Sequence, residues 1–156
     1  MGRRERREMV FLLLFGVEYH APEEFSEQAE FLFSAEEEEY IEEECLKAAE
    51  EDRDVGDLEL PSFLFEGREA IEEKALRIAE LSPDLDRMLD ERMQGWDLSR
   101  IGKVELTILR LALYEMLYDD EVSDAVAINE AVELAKKYGQ EKSGEFVNGV
   151  LAKFAK

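Results

Sequence analysis

Four arginines within five positions, Arg3, Arg4, Arg6 and Arg7, are the most chemically suggestive residues of this chain. Guanidinium groups stay charged, fork onto phosphates and stack on bases, so such a cluster suits a nucleic-acid ligand. A solvated basic tail is the plain alternative. Two amides also stand among apolar neighbours. Asn129, followed by Glu130, lies in VAINEAVELA, and Asn148, followed by Gly149, lies in FVNGVL. Asparagine and glycine both lower helix propensity, so each needs a reason. A helix–helix hydrogen bond would serve for Asn129, and close helix packing for Gly149. Arg110 interrupts an apolar run and needs a carboxylate if it is buried. Glu130 is its expected partner, and Arg110, Asn129 and Glu130 together form an expected polar core.

Catalytic constellations are not expected. His20 is the single histidine and Cys45 the single cysteine, and no serine, cysteine or lysine nucleophile has a histidine base in sight. Neither residue can assemble a usual zinc site, and no intrachain disulfide can form. Cys45 is expected to be a small core residue. The chain has no glycine-rich phosphate loop. The glutamates of 36–44 lack the Glu-x-x-His pairs that di-metal helices use. An enzyme, a metal and a cofactor are therefore not expected.

The chain of 156 residues has a net charge of −21 and is 46% apolar. That is enough apolar material for one domain's core. So acidic a total ordinarily argues against nucleic acid. The charge is uneven, however. Residues 21–60 are crowded with Asp and Glu and hold only Lys47 and Arg53 as bases, whereas residues 3–7 read Arg-Arg-Glu-Arg-Arg. The arginines followed by MVFLLLFGV imitate a secretion leader. Glu5 and Glu8, the shortness of the apolar run, Gly16 within it, and the poor cleavage site EYHAPEEF argue against one. A reducing cytoplasm is expected, with no membrane span.

The elements that must position these residues read as helices. The stretch Arg100–Tyr118, RIGKVELTILRLALYEMLY, is apolar around almost its whole circumference, punctuated by Glu105, Arg110 and Glu115. Such a helix is buried on most sides, so about 102–118 is predicted to be the central rod of a bundle. A first helix spans 4–18 and projects the arginines from its first turn, against the helix dipole. Pro22 opens a second helix, and Ser34 with Glu37 offers a capping box for a third. Residues 52–61 form a loop. A fourth helix starts near Pro61-Ser62, and Ser82-Pro83 restarts it as a fifth segment that ends at Gly95. Trp96, Leu98 and Ile101 lead into the central helix. Ser123 caps a helix over 124–138, with Gly139 as a left-handed stop, and Ser143 begins the last helix. The class is all-α: a compact bundle of about seven helices in one domain, 1–156, with packed subdomains 1–55 and 61–156.

Taken in order, RRERREMVFLLLF, IGKVELTILRLALYEM, VAINEAVELAKKYG and FVNGVL resemble the NusB family of bacterial transcription antitermination factors. The likeness is strong over 96–151, moderate over 3–17 and weak between. It implies two packed helical halves and no catalysis. It also implies binding of single-stranded boxA RNA in nascent ribosomal transcripts together with the ribosomal protein NusE, so that RNA polymerase reads through terminators. By this resemblance the RNA-binding residues are Arg3, Arg4, Arg6, Arg7, Glu105, Phe146 and Asn148. The spacing of Phe146 equally suits the core. Leu12, Ser123 and Lys142 depart from the family's habits. Some members self-associate as homodimers, and a protein-only helical adaptor is the alternative function.

Overall fold

The structure is a computed structural model that describes residues 2–17, 25–54, 56, 58–93, 95 and 97–156. His20, Pro22 and Trp96 lie outside the described residues. Six α-helices follow in order: α1 (Arg3–Val17), α2 (Phe25–Glu50), α3 (Arg68–Arg92), α4 (Lys103–Tyr118), α5 (Asp124–Tyr138) and α6 (Ser143–Ala152). Short 3-10 turns at Ser62–Leu64 and Leu98–Arg100 precede α3 and α4. The all-α bundle stands, with six α-helices among the described residues against an expected seven or so.

Two expected helix breaks are absent. Ser34 does not cap a new helix; it lies exposed in the middle of α2. No proline or glycine occurs between 25 and 50, and Ala29, Phe33 and Ala48 keep one buried face through the stretch. Glu37 is taken instead by Arg68 at 2.8 Å. Nor do Ser82 and Pro83 restart anything, because α3 runs through them. A proline inside a helix costs about 3 kcal/mol or more. Ile71, Ala75 and Ile78 before it, and Leu85 and Leu89 after it, form one buried stripe in register, and that packing outweighs the local penalty. Ser82 Oγ turns back to the Ile78 carbonyl at 3.0 Å.

α4 is the buried rod that its composition predicts. It buries Thr107, Ile108, Leu109, Leu111, Ala112, Leu113, Glu115 and Met116. α3, α5, α6 and α1 surround it, α5 and α6 form an antiparallel hairpin on one side, and α2 rests on α1. Val10, Phe11, Leu13 and Leu14 of α1 belong to the same core as the later helices. Among the described residues no helix is long and apolar enough to cross a membrane.

Three small residues behave differently from expectation. Cys45 is exposed rather than a core residue. Gly139 ends α5 at φ −94, which is not left-handed. Space excludes a side chain there, since a Cβ would lie 2.6 Å from Ser143 Oγ and 2.7 Å from the Ala135 carbonyl oxygen. Gly149 faces open space, and it is Gly144 that packs against Val132 of α5. The Ser123 cap is present, its side chain accepting from the Val126 N–H at 3.2 Å.

Candidate nucleic-acid interface

The arginine cluster is not one uniform patch. α1 turns its face carrying positions 3, 4 and 7 toward the ends of α4 and α5. Arg7, one turn into the helix, is only 11% exposed. Its Nε donates to both oxygens of Glu115 at 2.8 and 3.1 Å, and Nη2 donates at 2.9 Å. Glu115 is 1% exposed and takes a further contact from Lys74 Nζ at 3.3 Å. Burial pulls the Arg7 pKa down, but the bonds to Glu115 outweigh it and leave the pKa above its ordinary value. Removing one partner of such a buried pair strands a charge away from water. Arg7 is thus a pin between α1 and α4, which corrects the expectation that all four arginines project into solvent.

Arg4 is 67% exposed and forks onto Glu130 of α5, with Nε and Nη2 both at 3.0 Å from its carboxylate. Its pKa is raised, first by this hydrogen-bonded pair. Arg3 is exposed. Arg6 is half-buried and lies across Gly67, whose φ is +81 and where a Cβ would stand 2.8 Å from Arg6 Cζ. Arg6 Nε is buried without a partner among the described residues. The cationic surface on offer is therefore Arg3 and Arg4, backed by Arg6. Cations at a helix N-terminus oppose the dipole. Here Glu115 and Glu130 supply the compensating charge through space.

Glu8, one turn after Arg4, extends the contact of α1 with α5. It accepts from Lys137 Nζ and from the Tyr138 hydroxyl at the end of α5. Burial raises the Glu8 pKa, but these two donors outweigh it and bring the value below ordinary. Tyr138 is pushed well above its ordinary value, by burial first and then by Glu8.

A second patch forms where α4 begins and α6 begins. Glu105 is half-buried in the first turn of α4, and the missing side chain of Gly102 leaves room for its carboxylate. Ser143 Oγ accepts from the Gln140 N–H at 2.8 Å and donates to Glu105 Oε1 at 2.6 Å. Phe146 is half-buried, packs against the core, and shares a shallow pocket with Glu105. Arg100 and Lys142 stand exposed at the lip. Sequence reasoning missed Arg100 as a site residue, since only the 3-10 turn brings it beside Phe146. Glu105 and Glu115 lie ten residues apart on α4, so the two patches are separated by about 15 Å along its axis.

Asn148 does not join that pocket. It is exposed on α6 and faces Asn129 of α5 across a groove floored by Val132 and Gly144. The expected polar core is corrected in two respects. Asn129 is exposed rather than a core amide. Arg110 is not joined to Glu130; it forks onto Asp86 of α3, with Nε–Oδ1 and Nη2–Oδ2 both at 2.8 Å. Position 110 faces α3 while Glu130 faces α1, so the two cannot meet. Among the described residues no group of histidine, cysteine and carboxylates is placed to hold a metal ion.

This arrangement has close relatives. The NusB family model matches residues 4–156. The transcription antitermination protein NusB of Agathobacter rectalis is 43% identical over 99% of this chain and 100% of its own length. That of Lachnoclostridium phytofermentans is 41% identical over 98% of each. The solved structure of T. maritima NusB superposes with a TM-score of 0.70 at 28% identity, covering 99% of this chain and 91% of that one. A crystal structure of NusB and NusE in complex with dsRNA shares the fold, with a TM-score of 0.63 at 22% identity over 96% and 92% of the two chains. With the arginine-headed first helix, the buried central rod and the α5–α6 hairpin in place, the chain belongs to the NusB family of transcription antitermination proteins.

Proposed function

We propose that this chain binds boxA-type single-stranded RNA of nascent ribosomal transcripts together with the ribosomal protein NusE. It acts in the cytoplasm, in the complex that carries RNA polymerase past terminators, and it catalyses no reaction. The whole of 1–156 works as one unit in this reading. The observation that carries it is the division of labour on α1, where Arg7 is buried in ion pairs while Arg3 and Arg4 stand at the accessible first turn. A helix held by one arginine can present the others in fixed positions to a phosphate chain. Glu105 and Phe146 add a carboxylate and a ring edge at the head of α4, where an unstacked base can be received. A solved relative holding NusE and dsRNA supports the choice of partners.

The test is a titration of a labelled boxA oligonucleotide with and without NusE at rising salt. Affinity is expected to fall as salt rises and to improve with NusE. The double variant Arg3→Ala, Arg4→Ala is expected to lose about tenfold or more with its melting temperature little changed. RNA affinity indifferent to salt and to both arginines would leave a protein-only adaptor or homodimer as the better reading.

A further inference from the structure

Helix α1 carries its charges on opposite flanks. Arg4 and Arg7 face α4 and α5, whereas Glu5, Met9 and Leu12 face α2. The furrow between α1 and α2 is walled by Glu5 and Glu8 on one side and by Glu36, Glu39, Glu43 and Glu44 on the other. Its floor is apolar, made of Met9, Leu12, Leu32 and Leu64, and among the described residues Lys47 is the one base that lines it. Glu36, Glu39 and Glu43 recur at i, i+3 and i+7, so they form a straight ridge about 10 Å long on α2.

Two further observations show that this furrow is unfinished. One carboxylate oxygen of Glu36 is buried without a hydrogen-bond partner among the described residues. Burial is the main reason that the Glu36 carboxyl sits above its ordinary pKa, with Glu5 adding to the effect and Arg68 opposing it. Also, α2 buries only Ala29, Phe33 and Ala48 among its 26 residues, so its inner edge has capacity for further packing. Leu12 and Leu32 are half-buried and would gain from cover.

We propose that the α1–α2 furrow is a docking site for a cationic amphipathic helix of a protein partner, whose lysines or arginines meet the glutamate ridge while its apolar stripe lies on Leu12 and Leu32. Nucleic acid is the wrong occupant, because phosphates would face six carboxylates, of which Glu8 is paired with Lys137 and Glu44 with Lys47 and Arg53 while Glu5, Glu39 and Glu43 of the walls keep their charge toward the furrow. A helix fits better than an extended strand, because the ridge has helical spacing and the furrow runs between two helices. The site lies on the flank of α1 away from Arg4 and Arg7, so a bound partner leaves those arginines uncovered. The inference does not depend on RNA binding.

The probe is a fluorescein-labelled peptide of about five helical turns, with leucines along one stripe and lysines and arginines beside it. Binding to the full chain is read by fluorescence anisotropy at physiological salt. Neutralising the ridge with Glu36→Gln, Glu39→Gln and Glu43→Gln is expected to weaken binding about tenfold. The same charge change on the outer face of α2, with Glu27→Gln, Glu38→Gln and Glu42→Gln, is expected to weaken it by less than about twofold. Leu12→Gln, which spoils the floor without changing charge, is expected to weaken it about threefold to tenfold. Circular dichroism melts establish that each variant folds. Equal losses from the two glutamate triples would reduce the effect to general polyanion attraction and overturn the proposal. So would failure of the peptide to bind, indifference to Leu12→Gln, or displacement of the peptide by an oligo(U) RNA.

Discussion

α4 buries eight of its 16 residues, while α2 buries three of its 26. Both helices draw about two thirds of their residues from strong helix formers, but the shorter one is held by what surrounds it. The longer one is built of Glu, Ala and Leu, which favour the helix on their own account. It leaves Phe31 71% and Leu46 66% exposed. Helix length therefore says little about where this fold is anchored. The anchoring lies in α4 and the helices pressed on it, and α2 is an acidic arm leaning on α1.

The sharpest way to break this contrast is at Glu115. Glu115→Ala takes the hydrogen-bonded partner from the buried Arg7, leaving it only the looser Glu130 contact at 3.8 Å and leaving Lys74 with Asp119 at 3.6 Å, and is expected to cost about 3 kcal/mol, read by denaturant unfolding. A loss below about 1 kcal/mol, the range of a surface pair, would deny it that role. Next in size is a matched pair of leucine deletions. Leu109→Ala, in the fully buried rod, is expected to cost about 2–5 kcal/mol. Leu46→Ala, on the outer face of α2, is expected to stay within about 0.5 kcal/mol, and similar losses at the two sites would erase the distinction.

The smallest effect is a pH dependence of opposite sign in the two regions. Glu8, pinned to α5, has a folded pKa below the ordinary 4.5. Its stabilisation is fully present above 4.5 and is lost as pH falls through the lower folded value. Glu36, on the arm, has a folded pKa above 4.5. Its contribution is full below 4.5 and is lost as pH rises through the raised value. Glu8→Gln is therefore expected to lower the melting temperature at neutral pH and to change little in strong acid. Glu36→Gln is expected to raise it at neutral pH and to change little in acid. Thermal melts across that range decide both.

The anchored region was the more legible one in the sequence. An apolar circumference without proline marks α4 as buried whatever its neighbours are, and the motifs over 96–151 carry the family resemblance. The continuity of α2 and α3 was not legible. Ser34 and Pro83 are local signals, and they lose to buried stripes whose value depends on partners distant in the chain. The same limit governs the site. The arginine cluster is visible as a type of chemistry, but its division into Arg7 and the accessible Arg3 and Arg4 is set by carboxylates more than a hundred residues away. Glu115 was visible as an interruption in an apolar helix. Nothing local reveals that it receives Arg7, or that Arg110 turns to Asp86 rather than Glu130.

The Arg4–Glu130 pair spans 126 positions of sequence, and at a ribosome's pace of about 5–20 residues per second the acid is made about 6–25 s after the arginine. Until Glu115 and then Glu130 are made, the first helix of the growing chain lacks the acids that receive Arg7 and Arg4. Completion of the fold thus coincides with the withdrawal of Arg7 into its ion pairs with Glu115 and Glu130.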